Sequence, residues 1–493
     1  MSDLNAYNFF IESCNLNNNN ENNVMIICHD KKITYAEFDE KVKIDYRAFF
    51  DEIKDCRRAG IILPDSIIQM IIYWGLLRIN ITPALFSYNE SLESIIDTLN
   101  AADIDALVVD SSLLPHIDSI IKNCKLKSIY IANNEEYLEL YYLNPEKTVK
   151  KKEGKFILFS SGTTGISKGI IHKQSDMKYA AETYGKQILK LTNKDVLYSM
   201  ANLNYGFAFT NSTFQSCYAG ATSIIDNNTD IWTIAENINK FKPTVICGVP
   251  AIYKMLIQIS EISEINFNSV RLALSSGEKL PKNLWDLWYN KFNIPIIEGY
   301  GSVEMLTNVI SNSIDNYVVG SSGKLLDGFD CTLDKFDDEN DNSGILKITG
   351  NSISNITIKS DENESKTYNT NDIFTINENG YFWYNGRVGN IYKVNGVWFN
   401  SFSIEALLEA EHDIKEAFII NENMKLIAFI VKNDNSPFDI SYFRELNKKL
   451  KQSNSHSICP NKYIVVSKIP RNKNGKKKRI VIEEPLWNDV YEV

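Results

Sequence analysis

Residues Phe156 to Lys173 read FILFSSGTTGISKGIIHK, and the fold follows from how this stretch is parsed. Four apolar residues, Phe156 to Phe159, predict a short buried strand. They run directly into Ser160, Ser161, Gly162, Thr163, Thr164 and Gly165, a turn of small hydroxyl residues and glycine. Lys168-Gly169 closes the turn, and Ile170-Ile171 begins a second short strand. Glycine lets the backbone approach a ligand closely, so such a turn can wrap N–H groups and hydroxyls around an anionic oxygen. Lys168 adds a mobile positive charge. Two readings stand here: a cradle for phosphate, or a Ser/Thr/Gly hairpin turn that holds no ligand.

The P-loop pattern G-x-x-x-x-G-K-[ST] does not fit, because Ser167 falls where its second glycine belongs and no amphipathic helix follows the lysine. The narrower string S-S-G-T-T-G-x-x-K-G resembles the phosphate loop of the adenylate-forming superfamily. That group comprises acyl- and aryl-CoA ligases, luciferases and peptide-synthetase adenylation domains.

With 493 residues the chain is too long for one core and predicts roughly two to four folding units. A formal charge of −10 counts against broad nucleic-acid binding and suits a cytoplasmic enzyme that gathers positive charge locally. No apolar run approaches the roughly 20 residues that span a bilayer, so no membrane partner is expected. MSDLNAYNFF lacks a basic region followed by an apolar stretch, unlike a secretory signal. Eight cysteines occur without a C-x-x-C pair, and neither Cys28-His29 nor His456-x-x-Cys459 makes a four-ligand set, so reduced thiols are expected rather than structural zinc.

Outward from the turn, strand and helix signals alternate. Val24 to Cys28 predicts a strand, and Thr34 with Glu37 three residues on predicts a capped helix burying Phe38, Val42, Phe49 and Phe50. Ala59 to Leu63 predicts a strand, Ile67 to Leu77 an apolar helix, and further strands fall at 81–86, 106–109 and 129–131. After the turn come a helix from Asp176, strands at 196–200, 223–225 and 270–274, and a glycine-hinged aromatic stretch, Asn202 to Phe209. This rhythm predicts an α/β fold with largely parallel sheets. A strand-rich region with turn signals at Gly323, Gly328 and Gly344 predicts a small β subdomain at about 315–387. The main boundary is expected just after Arg387, with residues 388–493 a small α+β domain.

Several residues could carry chemistry, each with a plainer alternative. Glu304 could bind a hard cation through oxygen or be a surface carboxylate. Tyr300, between Gly299 and Gly301, could stack on a planar base or sit in the core. Asp372 could accept from sugar hydroxyls or close a turn, and Arg387 could reach phosphate or ribose or stay in solvent. The basic run Pro470 to Arg479 reads as a nucleic-acid patch, a solvated charge run, or a mobile loop bringing a lysine to an anion. The acidic balance and the lack of interleaved aromatics count against the first.

These motifs follow one another in the order of the adenylate-forming superfamily from about residue 24 to 480. The resemblance implies an α/β N-terminal domain with a β subdomain, and a mobile C-terminal domain. It implies ATP with Mg²⁺, and CoA or phosphopantetheine as co-substrate. Ser161, Gly162, Thr163, Thr164, Gly165 and Lys168 would hold the β- and γ-phosphates. Gly277, Glu278 and Lys279 would edge the adenine, Tyr300 would stack on it, and Ser302 would touch the α-phosphate. Glu304 would bind Mg²⁺, Asp372 and Arg387 would hold the ribose, and Lys476 would be the adenylation lysine. Tyr205, Gly206, Phe207, Gly299 and Gly301 would line the acid pocket, and Lys393, Gly396 and Trp398 the thiol tunnel. Gly389 would be the hinge, where the family commonly has aspartate. Asn371 stands where the family usually has glycine, which costs backbone freedom but keeps the following carboxylate.

Adenylation domains for α-amino acids usually place an aspartate near the stretch Tyr205 to Thr210, which here has no carboxylate. An ammonium buried there would lack a counter-ion, at a cost of several kcal/mol. Tyr205-Gly206 and Lys393-Val394-Asn395-Gly396-Val397-Trp398 resemble the benzoate-CoA ligase branch. The expected activity is therefore activation of an aryl or small apolar acid and transfer to CoA. Two alternatives remain: loading the acyl group onto the phosphopantetheine of an acyl carrier protein, and a nucleotide-binding relative without catalysis.

Overall fold

The computed structural model describes residues 4–12, 23–88, 90–133, 137–148, 151–160, 168–335, 342–358, 365–388, 391–394, 397–422, 425–433, 438–453, 458–470, 482 and 487–493. The decisive stretch is an antiparallel hairpin. Lys155–Ser160 pairs with Lys168–Lys173 without a bulge, from Lys155 opposite Lys173 to Ser160 opposite Lys168. The apolar run thus becomes a strand, and the two turn flanks meet at the last rung.

This hairpin closes one edge of a seven-stranded sheet. The order is Tyr137–Leu143, Ser128–Asn133, Ala106–Asp110, Arg58–Ile62, Thr82–Leu85, Lys155–Ser160, Lys168–Lys173. Its inner pairs are parallel. A nine-stranded sheet runs Lys324–Leu325, Asn308–Ser311, Ile296–Gly301, Leu272–Ser275, Val245–Gly248, Val196–Ser199, Thr222–Ile225, Val24–Cys28, Lys31–Thr34. From Ile296–Gly301 to Val24–Cys28 every pair is parallel. Parallel strands need helical crossovers that cover both faces, which explains the strand–helix alternation.

The helix Ile67–Arg78 joins the two sheets in one core. Ser66 caps it, accepting from Gln69 N at 3.3 Å, and Ile68 to Leu77 are all buried. A helix apolar on every side has no solvent face to offer, so it must lie inside. The same core holds Met25 and Ile26 of the larger sheet and Ala59 and Ile61 of the smaller. The expected cap at Thr34 is present: its Oγ1 accepts from Glu37 N, and Glu37 Oε2 accepts from Thr34 N at 2.8 Å. Phe38, Val42, Phe49 and Phe50 are buried as their spacing requires.

Strands Asp330–Asp334, Ser343–Thr349, Thr367–Ile376 and Phe382–Arg387 make a small four-stranded sheet. By contacts the chain divides into two compact units. One is Met1–Thr332, Lys347–Tyr368 and Asn377–Phe382; the other is Leu333–Leu346, Asn369–Ile376 and Trp383–Val493. The second unit contains a sheet in the order Ile414–Glu422, Lys425–Lys432, Lys462–Val466, Trp487–Glu492, with helices Ser401–Glu409 and Ile440–Ser453. The result is the α/β class with a larger N-terminal part and a smaller C-terminal sheet domain. Among the described residues no helix is long and apolar enough to cross a membrane.

Gly75, inside Ile67–Arg78, tests how tightly this core is packed. A Cβ there would stand 1.9 Å from Phe50 Cζ. Gly75→Ala should gain about 1 kcal/mol of helix propensity but lose about 1–3 kcal/mol to overpacking. The expected outcome is a lower Tm by calorimetry, partly restored by adding Phe50→Leu. A raised Tm in the single variant would show that the ring has room to move.

Candidate active site

Glu304 lies in one 3-10 turn, Val303–Met305, between the antiparallel strands Ile296–Gly301 and Asn308–Ser311. Two glycines permit this close return. A Cβ on Gly299 would stand 2.5 Å from Asn308 Nδ2, and one on Gly301 would stand 2.2 Å from the Thr307 carbonyl oxygen. Leu306 leaves the turn at φ +65°, a left-handed conformation costing about 1–2 kcal/mol, which its near-complete burial offsets.

Lys168 meets this turn across 136 residues of sequence, with Nζ 3.0 Å from Glu304 Oε1. The Glu304 side chain keeps 8% of its exposure and that of Lys168 keeps 44%. Burial pushes the Glu304 carboxyl up, but the Lys168 ammonium and backbone hydrogen bonding outweigh it and hold the group below the usual glutamate range. Glu304 is therefore a charged carboxylate out of bulk water, not a surface acid. Ser302 Oγ is also buried, with no hydrogen-bond partner of good geometry among the described residues, yet near enough to favour the charge on Glu304.

The backbone of the turn is pinned at three successive carbonyls. Val303 O accepts from His172 Nε2 at 2.9 Å, Glu304 O from Ser354 N at 2.8 Å, and Met305 O from Ser352 Oγ at 2.9 Å. These donors escaped motif reading, because nothing local to residues 172, 352 or 354 announces a partner far along the chain.

The other expected residues of the first unit are placed along their own elements. Tyr300 is half-buried on its strand, and Gly277, Glu278 and Lys279 are exposed just past the end of Leu272–Ser275, Gly277 with φ +86°. Tyr205, Gly206 and Phe207 are half-buried at the start of the helix Gly206–Thr210. A Cβ on Gly206 would lie 3.2 Å from Val303 Cγ2, so this helix begins against the Glu304 turn.

In the second unit, Arg387 Nε lies 3.0 Å from Asp372 Oδ1. Asn371 takes φ +55°, so asparagine adopts the left-handed conformation expected to need glycine, as its short polar side chain allows. Lys393 and Trp398 are opposite one another in the hairpin Ile391–Val394 and Val397–Asn400; their side chains, like Ser161, Gly162, Thr163, Thr164, Gly165, Gly389, Gly396 and Lys476, lie outside the described residues.

Among the described residues no cluster of three or more His, Cys, Asp or Glu could cage a metal ion. A single charged carboxylate is nevertheless the donor set that suits Mg²⁺ arriving on a triphosphate, since that ion keeps its waters and shares protein and phosphate oxygens.

The Glu304–Lys168 pair sets a pH dependence. Glu304's folded pKa lies below its unfolded value near 4.3, so its contribution to stability is full above that value and lost as pH falls through the folded pKa. Lys168→Met removes the counter-charge and leaves burial to raise the folded pKa, which reverses the sign. The Tm gap between wild type and Lys168→Met is therefore expected to be widest near pH 7 and to narrow on acidification toward pH 4. A gap independent of pH would mean that the pair does not govern the charge on Glu304.

Comparison with known proteins assigns the family. Residues 15–355 match the family model described as AMP-binding enzyme. The 4-hydroxybenzoate–CoA/benzoate–CoA ligase of Rhodopseudomonas palustris is 26% identical over 455 residues, covering 87% of this chain and 84% of its own. The anthranilate–CoA ligase of Pseudomonas aeruginosa is 27% identical over 360 residues, covering 68% of each chain. A crystal structure of an anthranilate CoA ligase in complex with anthranoyl-AMP superposes with TM-score 0.83 over 97% of this chain and 96% of that one, at 22% identity, a likeness of fold. With more than half its length matched to the family model, the chain belongs to the AMP-binding enzyme family, on the adenylate-forming branch that includes the benzoate-CoA ligases.

Proposed function

We propose that the protein activates a small aryl or apolar carboxylic acid with Mg·ATP and passes the acyl group to the thiol of CoA. The observation that carries this reading is the charged, buried Glu304 paired with Lys168, the lysine that closes the glycine–threonine turn. The helix Gly206–Thr210 begins against the Glu304 turn and carries no carboxylate of its own to pair an α-amino acid's ammonium. On this reading the enzyme works where ATP and CoA are found, in the cytoplasm.

The chemistry joins two anions, a carboxylate and the triphosphate of ATP, whose α-phosphorus is attacked, and charge must be offset throughout. Lys168 binds the β- and γ-phosphates together with the turn Ser161 to Gly165. Glu304 would hold the magnesium that accompanies the triphosphate, an ion that would supply electrostatic stabilisation of the phosphoryl oxygens. Tyr300 stacks on the adenine beside Gly277, Glu278 and Lys279, Ser302 contacts the α-phosphate, and Asp372 and Arg387 hold the ribose. The acid's oxygen attacks the α-phosphorus, pyrophosphate leaves, and an acyl-adenylate forms. Lys476 stabilises the charge moving through that first step. The thiolate of CoA, approaching past Lys393, Gly396 and Trp398, then displaces AMP. Gly389 is the hinge between the two half-reactions. A carrier protein's phosphopantetheine ends in the same thiol, so the acceptor must be distinguished by assay.

The test is pyrophosphate exchange into ATP, run with benzoate, hydroxybenzoates, aminobenzoates, short-chain acids and α-amino acids. Exchange with an aryl or short apolar acid is expected, with none for α-amino acids; CoA and pantetheinylated carriers are then compared as acceptors. No exchange with any acid would overturn the reading and favour a nucleotide-binding relative. Lys476→Ala should lower exchange by at least about 100-fold, several kcal/mol of barrier, while thioester formation from preformed adenylate stays within a few-fold. Equal loss of both half-reactions would contradict the role given to Lys476.

A further inference from the structure

His172 sits four residues beyond Lys168 on the strand Lys168–Lys173. The pairing there is regular, and side chains of a strand alternate, so Lys168, Ile170 and His172 share one face. That face meets the Glu304 turn twice: Lys168 reaches the carboxylate and His172 reaches the backbone one residue before it.

The imidazole is enclosed and bonded at one nitrogen, while Nδ1 has no hydrogen bond of good geometry among the described residues. The residue is 1% exposed and stacks on Phe156 at 5.3 Å between centroids and 19° between planes. Nε2 lies 2.9 Å from Val303 O; a carbonyl only accepts, so Nε2 is the donor in this contact. Nδ1 lies 3.5 Å from Asp176 Oδ2. Asp176 is itself fixed, with Oδ2 accepting from Lys173 N at 3.0 Å and Oδ1 lying 3.8 Å from Lys366 Nζ. A phenyl ring could fill this slot without desolvating two ring nitrogens. What the histidine adds is a donor with fixed direction, aimed at the peptide that carries Glu304.

We propose that His172 is a positioning residue: it sets the plane of the Val303–Glu304 peptide, and so where the Glu304 carboxylate meets the magnesium of Mg·ATP. This rests on the reading of Glu304 given above. Ser354 N and Ser352 Oγ hold the following two carbonyls, so His172 supplies the first of three fixed points. Groups that orient a metal-binding side chain commonly change affinity or activity about 10–100-fold when removed.

The experiment compares ATP affinity with and without Mg²⁺, by calorimetry, in wild type, Glu304→Gln, His172→Phe and His172→Gln. Glu304→Gln should abolish the magnesium-dependent gain. His172→Phe, which keeps the stacking but has no donor, should reduce that gain about 10-fold or more, with affinity for metal-free ATP unchanged. His172→Gln, whose amide can donate in a similar direction, should recover most of it. A purely structural role would lower Tm and weaken ATP binding equally with and without the metal, and that result overturns the proposal. So does a His172→Gln variant that loses the gain as fully as His172→Phe. Should His172→Phe not fold, His172→Gln alone decides, since the proposal requires it to keep the gain. If Glu304→Gln leaves the gain intact, the reading of Glu304 falls and this inference with it. If Glu304→Gln abolishes the gain and His172→Phe does not, the inference fails alone.

Discussion

A carboxylate taken out of water must keep a positive partner or give up its charge, and Glu304 keeps Lys168. The effective cost of desolvating an ion in a protein is several kcal/mol, so the strand that carries Lys168 cannot drift from the turn that carries Glu304. Because Lys168 stays close to half exposed, the pair remains open to exchange. On the proposed reading, Mg·ATP takes both charges at once: phosphate oxygens for the lysine and a divalent cation for the carboxylate. Charge balance is kept on either side of that exchange, and no isolated ion is left buried.

The rest of the first unit serves this contact. Parallel sheets bind ligands beyond the carboxyl ends of their strands, and here Leu272–Ser275 and Ile296–Gly301 end beside the residues assigned to the nucleotide. Environment, not residue type, sets apart two acids on one segment. Burial pushes Glu298 up to about 7, outweighing Ser322, Lys279 and the Leu280 N–H, whereas Lys168 overrides the same desolvation at Glu304. One acid is poised near neutrality inside the sheet, and the other is kept charged at its end.

Local features of this fold were legible in the sequence. The apolar run before Ser160, the Thr34–Glu37 cap and the largely apolar helix after Ser66 each carry their own signal, since strand period, capping chemistry and helix burial act within a few residues. The tight returns at Gly299 and Gly301 explain why glycine stands there. Contacts between distant segments left no local trace. Taken alone, Glu304 reads more naturally as a surface acid, and nothing near it foretells Lys168, Ser352, Ser354 or His172. Asn371 has less backbone freedom than the glycine usual there, and it nevertheless takes φ +55°, a conformation that the sequence does not announce. The segments 41–45, 181–189 and 211–215, wound as π-helix, likewise have no periodicity that separates them from α-helix in the sequence.

The most direct test of the exchange between Lys168 and Glu304 is a double-mutant cycle on the Kd for Mg·ATP, using Lys168→Met, Glu304→Gln and both together. The account predicts that each single variant binds more weakly and that the double variant loses less than the sum of the two, with a coupling of at least about 1 kcal/mol. Strictly additive losses, or unchanged affinity in all three variants, would contradict it.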